Sequence, residues 1–340
     1  MASRYYQGAP SDHFDGRRFF NPGHPWKSSF AKLLKWRFSA RNKALWPASY
    51  PSPFHEIPPE RVTGSTLRVT FIGHASFLYQ TEGLNLLVDP VWSERASPFA
   101  FIGPKRVNPP GVSFEDLPPI DIVLLTHNHY DHLDLPTMAR LWHQHHPRII
   151  TPLGNDTILK NFIPQVRVET ADWGDSITLG PQLTVRLEPT LHWSARGMLD
   201  RLHALWASFA IRTSAGTIFH IGDTGFGEGS LYREISRRHP DIRLATLPIG
   251  AYEPRWFMHP HHVNPEEAVE IFNLLKARKA IAHHWGTFPL SDEGIDHPPE
   301  TLALARAKHG ISEERFHAMR PGEVSEAWSL NEAMPSLQLP

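Results

Sequence analysis

From residue 67 onward the chain runs in short apolar bursts. LRVTFIG (67–73), SFLYQT (76–81) and LNLLVDP (84–90) are separated by glycines and polar pairs. That spacing predicts a meander of strands joined by tight turns. DIVLLT (121–126) is a continuous apolar run, as expected of a strand covered on both faces. RIITP, VRVET, SITL and LTVRLEP follow, then ALWASFAIRT, GTIFHIGD, LATLPIG and KAIAHHWG. Helical spacing predicts helices around 136–145, 228–238, 264–277 and 299–309. The clearest is NPEEAVEIFNLLKAR, with Asn264 as N-cap, Pro265 at the first helical position and acids in the first turn. No internal repeat is visible. Two strand-rich halves with interspersed helices predict an α+β fold of two sheets packed face to face, helices outside.

Residues 1–62 break this pattern. They form a Pro-, aromatic- and basic-rich arm ahead of a folded domain at 63–330 and a short tail at 331–340. Between Trp26 and Trp46 stand Lys27, Lys32, Lys35, Arg37, Arg41 and Lys43 with no acid, while Phe30, Leu33, Leu34 and Phe38 share helical spacing. Two readings follow for residues 26–46. The segment either lies in a membrane interface or packs its aromatics on the domain and leaves its lysines in water.

Composition narrows the chemistry. The 340 residues are 41% hydrophobic and 20% charged, ordinary for a soluble globular protein. A net charge of -1 gives no overall field for nucleic acid. The N-terminus has no secretory pattern, and no window reaches the roughly 18 apolar residues of a spanning helix. A cytoplasmic protein is expected. There are 22 histidines and no cysteine, which removes disulfides, thiolate metal sites and a cysteine nucleophile. Any metal site must use imidazole and carboxylate, which suits zinc, iron, manganese or nickel better than Cu(I) or an iron–sulfur cluster.

The densest set of such groups is His127, His129, Asp131 and His132, directly after the apolar strand at 121–125. An H-x-H-x-D-H string cannot put every side chain on one face of a regular strand or helix. It suits a loop curled around ions and rooted on a rigid strand; a polar surface loop is the plainer alternative. One such loop cannot complete two coordination spheres. His192 in EPTLHW, Asp223 in IGDTGF and His284 in AHHWGTF all stand at later strand ends, and Asp223 is the acid placed to bridge two ions.

These residues resemble the metallo-β-lactamase superfamily. The strings GHASFL, VDPVWSERASP, IGPKRV, LPPIDIVLLTHNHYDHLD, GDTGF, LPIGAYEPRWFM, HVNPEEAV and HWGTF resemble its N-acyl-phosphatidylethanolamine-hydrolysing phospholipase D group. The resemblance runs from about residue 66 to 325. It implies an αβ/βα sandwich of two mixed sheets flanked by helices. It also implies two zinc ions, iron or manganese being alternatives. The first ion would take His127, His129 and His192, the second Asp131, His132 and His284, with Asp223 bridging; the match selects His284 over His283. Asp89 in LLVDP would orient a ligand histidine, a turn-capping aspartate being the plainer reading. His262 would stand near the substrate, with an exposed loop histidine as its plainer reading. His74 is either a further supporting group or a buried structural histidine. His259 and His261 read as exposed loop histidines, and Tyr252, Arg255 and Trp256 as pocket or loop residues. Ser194 stands where some members carry cysteine.

Two metals roughly 3.5–4 Å apart can share a hydroxide at neutral pH. The implied reaction is hydrolysis of N-acyl-phosphatidylethanolamine to phosphatidate and an N-acylethanolamine, with Asp131, Asp223, His262 and Asp89 serving it. A lactonase or other esterase on the same fold is the rival enzyme, and a non-catalytic metal-binding membrane-associated protein the rival from another class. A small-molecule or phospholipid substrate, peripheral membrane contact, no nucleic acid and a homodimer complete the expectation.

Overall fold

Alternation within each strand decides the layers. In SFLYQT, Phe77 and Tyr79 point one way into a core shared by both sheets, while Leu78 points the other way. Both faces of this strand are buried, so both must be covered.

The computed structural model describes residues 2–24, 35–36 and 43–326. The first sheet holds β1 (Arg68–Gly73), β2 (Ser76–Thr81), β3 (Leu84–Val88), β4 (Ile122–Leu124), β5 (Arg148–Pro152), β6 (Val168–Ala171) and β14 (Val324–Glu326), in the order β14-β1-β2-β3-β4-β5-β6. The second holds β7 (Ser176–Gly180), β8 (Leu183–Glu188), β9 (Ser208–Thr213), β10 (Gly216–His220), β11 (Ile242–Pro248), β12 (Lys279–His283) and β13 (Phe316–His317), in the order β13-β12-β11-β10-β9-β8-β7. Each sheet is antiparallel at one side and parallel at the other. Parallel neighbours need crossovers. Helices α1 (Leu135–His145) and α2 (Asn155–Phe162) supply two of them on the first sheet, the β3–β4 crossover being a long loop with one 3₁₀ turn (Phe114–Asp116). Helices α3 (Ser230–Arg238), α5 (Pro265–Leu275) and α6 (His297–Lys308) supply those of the second. A single turn, α4 (Arg255–Met258), precedes α5.

Three apolar clusters make the layers. Phe71, Phe77, Val185, Phe209 and Ile281 fill the space between the sheets. Leu87, Val123, Leu141 and Leu159 join the first sheet to α1 and α2. Phe219, Leu247, Ile235, Phe272 and Leu302 join the second to its helices. The result is the expected αβ/βα sandwich.

Most predicted elements stand within a few residues of their observed ends, and the deviations have causes. The apolar run DIVLLT leaves the ladder after Leu124, because the Thr126 amide donates instead to the Asp89 carboxylate at 2.7 Å. Asn264 caps α5 in a full capping box with Glu267. Helix α2 has too short an apolar pattern to predict, and β13 and β14 are strands only by their pairing.

Residues 2–24 lie on the domain. Phe14 and Phe19 are buried with Leu202, Leu205 and Trp206 in a fourth apolar cluster. Most of the basic stretch 26–46 lies outside the described residues. Of the parts described, Trp36 stacks on Phe257 at 5.1 Å, and the Trp46 indole donates to the Glu293 carbonyl at 2.9 Å. No helix among the described residues is long and apolar enough to cross a membrane.

Phe19 is fully buried, so Phe19→Ala is expected to cost about 3–5 kcal/mol in urea unfolding. A loss below about 1 kcal/mol would mean that the N-terminal packing adds little to the fold.

Candidate metal centre

The ends of β3, β4, β8, β10 and β12, together with the β1–β2 turn, deliver side chains to one edge of the sandwich. Open sheets with parallel strands place sites at such C-terminal ends. Three of the residues placed there hold left-handed backbone without being glycine: His74 (φ 56), Asp89 (φ 42) and His284 (φ 61). Strain of this kind persists only where the surroundings over-determine it. Here the His284 amide donates to the His74 carbonyl at 2.7 Å, and the His74 amide donates to the Thr287 hydroxyl at 3.0 Å. Gly222 (φ 67) brings the Asp223 turn against Thr126, where a Cβ would come within 2.9 Å of the threonine methyl.

The side chains form two groups that meet at Asp223. His127, His129, His192 and Asp223 offer one ligand atom each within 4.8 Å of one another, and so do His74, Asp131, His132 and His284. In the first group, His129 Nδ1 lies 2.9 Å from His127 Nε2 and 3.2 Å from His192 Nε2. Asp223 Oδ2 is 3.5 Å from His192 Nε2. In the second, His284 Nε2 is 3.3 Å from Asp131 Oδ2, and His132 Nε2 is 3.6 Å from it. Asp223 Oδ2 also reaches His132 Nε2 at 3.3 Å and His284 Nε2 at 3.1 Å, so one carboxylate oxygen faces both groups.

The donor set fits metal ions. A tetrahedral ion with nitrogen ligands at about 2.0–2.1 Å has ligand–ligand edges of roughly 3.4 Å, close to the spacing of the first group. His132 Nε2 and His284 Nε2 are buried and face Asp223 Oδ2 without a well-directed hydrogen bond, and Asp223 Oδ1 is buried with no hydrogen-bond partner. Buried polar atoms are almost always satisfied, and a cation facing them would satisfy all three.

Partners behind the site set the imidazole tautomers. Asp89 Oδ2 lies 2.7 Å from His132 Nδ1 and accepts from the Thr126 hydroxyl at 2.6 Å, which turns His132 Nε2 toward Asp223. His192 Nδ1 lies 3.1 Å from the His261 carbonyl, which leaves Nε2 for the centre.

Electrostatics divides the two groups. Burial holds His127 and His192 well below the usual imidazole range and His129 down to about 4, so these nitrogens keep their lone pairs. Burial opposes charge on Asp131 and Asp223, yet the adjacent histidines, His132 and His284 foremost, hold both carboxyls well below their ordinary value. Burial likewise opposes charge on His284, but Asp223 and Asp131 lift it to about 9. His132 rises well above its ordinary value through Asp223, Asp131 and Asp89, again against burial.

All seven ligand-type residues singled out in the sequence lie in these two groups. His262 sits at the rim, its side chain 15% exposed and Nδ1 4.0 Å from Asp223 Oδ2. His74 Nε2 contacts Asp131 Oδ2 at 2.8 Å. His283 faces away and stacks on His220 at 5.5 Å. His261 is not an exposed loop histidine. The turn of α4 folds it back, so its carbonyl meets His192 and its ring lies 6.3 Å from Trp193. His259 is exposed, as expected. Tyr252 is buried against His297, and Arg255 holds Glu267 and the His262 carbonyl, so these two build the loop rather than a pocket. Trp256 is half-exposed beneath the Lys35 ammonium. Ser194 is buried and donates to the Ala204 carbonyl at 2.6 Å.

Sequence reasoning missed Thr126 as the partner of Asp89. It also missed Arg196, which donates to the carbonyls of Asn128 and Leu133 and stacks over Tyr130. No periodicity marks either residue.

Known proteins share this arrangement of chain. Residues 84–285 match the model of the beta-lactamase superfamily domain. The chain is 37% identical over 287 residues to N-acyl-phosphatidylethanolamine-hydrolyzing phospholipase D 1 of Caenorhabditis elegans, across 81% of this chain and 80% of that protein. It is 30% identical over 263 residues to a metal-dependent hydrolase of Pyrobaculum neutrophilum, across 76% of this chain and 99% of that protein. The structure of isothiocyanate hydrolase from Delia radicum gut bacteria is alike in fold, with a TM-score of 0.61 at 22% identity, across 77% of this chain and 99% of that one.

Asp89→Asn keeps the side chain's shape but weakens its hold on His132. Affinity for divalent metal is expected to fall about 10–100-fold, measured by competition with a chromogenic chelator. An unchanged affinity would show that Asp89 only shapes the turn.

Proposed function

Because this chain belongs to the beta-lactamase superfamily of metal-dependent hydrolases, in the group of the N-acyl-phosphatidylethanolamine-hydrolysing phospholipases D, we propose that it is a phosphodiesterase of that type. It cleaves N-acyl-phosphatidylethanolamine with two divalent metal ions. The observation that carries the reading is the sharing of Asp223 Oδ2 between two groups of buried donors.

In this reading His127, His129 and His192 would hold one ion and Asp131, His132 and His284 the other, with the Asp223 carboxylate facing both groups. An imidazole-rich group and a carboxylate-containing one suit zinc first, with iron and manganese also compatible. Bound ions supply Lewis-acid polarisation of phosphoryl oxygens and a water-derived nucleophile at neutral pH.

The chain's own residues do the rest. Asp131 and Asp223 stay anionic and balance the cations. Asp89 holds His132 in the tautomer that presents Nε2. Burial holds His262 down to about 4. At neutral pH it is therefore a neutral imidazole, suited to donate a hydrogen bond to a phosphoryl oxygen rather than to act as a cationic acid. In the net reaction water adds across the phosphorus–oxygen bond to the ethanolamine. Phosphatidate keeps the phosphoryl group, and the ethanolamine oxygen takes a proton.

A surface groove of about 510 Å³ runs beside the ligand loop at Tyr130 and Leu133. Charged Glu94, Arg95, Asp134 and Arg196 line it together with Phe99 and Phe162, and its apolar part suits an acyl chain. Phe101 and Ile102, on the same loop as Phe99, are also exposed, and they suit contact with a bilayer that presents the phospholipid. A homodimer belongs to the same proposal and is read by sedimentation equilibrium.

The purified protein is expected to release N-acylethanolamine from N-acyl-phosphatidylethanolamine in mixed micelles, to lose activity on chelation and to regain it with zinc. Asp223→Asn should lower kcat on the order of 10²–10³-fold. Turnover of a lactone with none of the phosphodiester would sink the substrate class and leave the hydrolase. His262→Ala should raise KM and lower kcat for the lipid; unchanged kinetics would remove His262 from the reaction.

Metal uptake should depend on pH with a defined sign. His284 is lifted to about 9 in the metal-free protein, so at pH 7 it carries a proton that a metal must displace. Affinity is therefore expected to rise from pH 7 to 9, with proton release seen as buffer-dependent heats in calorimetry. A flat profile would argue against His284 as a ligand.

A further inference from the structure

The long connection between β8 and β9 carries His192, and residues 2–24 are stitched along it. The Ser3 hydroxyl and the Arg4 amide donate to the His203 carbonyl and Nδ1, at 3.2 and 2.6 Å. The Tyr5 hydroxyl donates to Asp200 Oδ2 at 2.6 Å. The Phe19 amide donates to the Leu202 carbonyl at 2.8 Å. Asn21 Nδ2 donates to the Thr190 carbonyl at 2.7 Å. All these acceptors lie between Thr190 and His203, while Phe14 and Phe19 pack on Leu202, Leu205 and Trp206 in the same connection.

The last of these bonds reaches the centre. Thr190 is two residues before His192, and its hydroxyl donates to the Asp223 carbonyl at 2.9 Å. Its own carbonyl accepts from both Asn21 Nδ2 and the Trp206 indole at 2.9 Å. Leu191 and Thr224 continue the knot: the Leu191 amide donates to the Thr224 hydroxyl, and the Gly225 amide donates to the Leu191 carbonyl. A buried asparagine of the N-terminal segment thus holds the backbone of Thr190, whose hydroxyl joins the His192 segment to the Asp223 backbone. It also lines a cavity of about 270 Å³ that touches His192.

We infer that Asn21 is a positioning residue of the metal centre, and that the N-terminal segment acts as a strap holding His192 in register with Asp223. The inference rests on the metal reading above. Ligand histidines owe much of their affinity to pre-set orientation. The strap supplies it where no regular strand does, since β8 ends at Glu188 and β9 begins at Ser208. Thermodynamic reciprocity then requires that a metal held by His192 stabilise the strap.

Both directions can be read in the full chain. Asn21→Leu removes the donor at similar volume, and the Thr190 carbonyl keeps its bond from Trp206. Zinc affinity of the tighter-responding site is expected to fall about tenfold, with kcat lowered and KM little changed. Leu302→Ala, in the distant core on α6, serves as a control for loss of stability alone and should leave affinity unchanged. If both variants shift affinity alike, or neither does, the positioning role is overturned and the strap is structural packing only. Should Asn21→Leu fail to accumulate as folded protein, hydrogen exchange on the unaltered chain decides. Chelation is expected to speed exchange at the Phe19 and Leu202 amides at least tenfold more than at amides of β2. Equal acceleration in both regions would refute the coupling. A wild-type chain that takes up no zinc would instead overturn the metal reading itself.

Discussion

Two carboxylates and a ring of imidazoles packed into a nearly dry edge between two sheets set the terms for the rest of this molecule. Buried anions are tolerated only when cations or hydrogen bonds answer them. For Asp131 and Asp223 the answer is the positive potential of the adjacent imidazoles, His132 and His284 foremost, with His74 adding to it at Asp131. The same geometry leaves His132 Nε2 and His284 Nε2 without a well-directed hydrogen bond and Asp223 Oδ1 with none. Such an arrangement is poor as a structural network, because a half-satisfied buried network destabilises. It becomes sensible as a receptor for metal cations.

Holding it requires rigidity from several directions. The strand ends give the approximate positions, and left-handed backbone at His74, Asp89 and His284 sets the final side-chain directions. Asp89 serves two ends at once. It stops β4 by capturing the Thr126 amide, and it orients His132 with the same carboxylate. Arg196 fastens the H-x-H-x-D-H loop to the connection that carries His192, through the Asn128 and Leu133 carbonyls. On the far side of that connection the N-terminal segment contributes Phe14, Phe19 and Asn21. Residues distant in sequence therefore share one task.

The two halves of the centre differ in a way that bears on chemistry. Burial keeps His127, His129 and His192 neutral, so that half is ready to bind without proton release. The Asp131, His132 and His284 half holds protons that a metal must displace. Neutral His262 at the rim adds a hydrogen-bond group beside the shared carboxylate. Polarisation by bound cations together with donors fixed in advance is what metal-dependent hydrolysis demands.

Much of this was legible in the chain. Strand bursts at 68–81 and 148–152 and the capping box at Asn264 rest on local periodicity and capping chemistry, which depend on neighbours in sequence. The string from His127 to His132 is legible for the same reason: four ligand-type side chains crowd together directly after a buried strand, where a regular element could not aim them all one way. His192, Asp223 and His284 could be chosen as strand-end residues, yet nothing local says that one oxygen of Asp223 faces both groups. That is a matter of how β10 sits between β9 and β11. The roles of Thr126, Arg196, the His261 carbonyl and Asn21 were invisible, because each acts through a backbone group brought near by folding. His261 misled for a related reason, since a histidine among prolines reads as loop until α4 turns it inward. Sequence by itself determined which chemical groups are present and which elements carry them. Tertiary structure alone decided which of those groups meet, because hydrogen bonds and ligand geometry act over about 3 Å, a distance set here by packing between segments far apart in the chain.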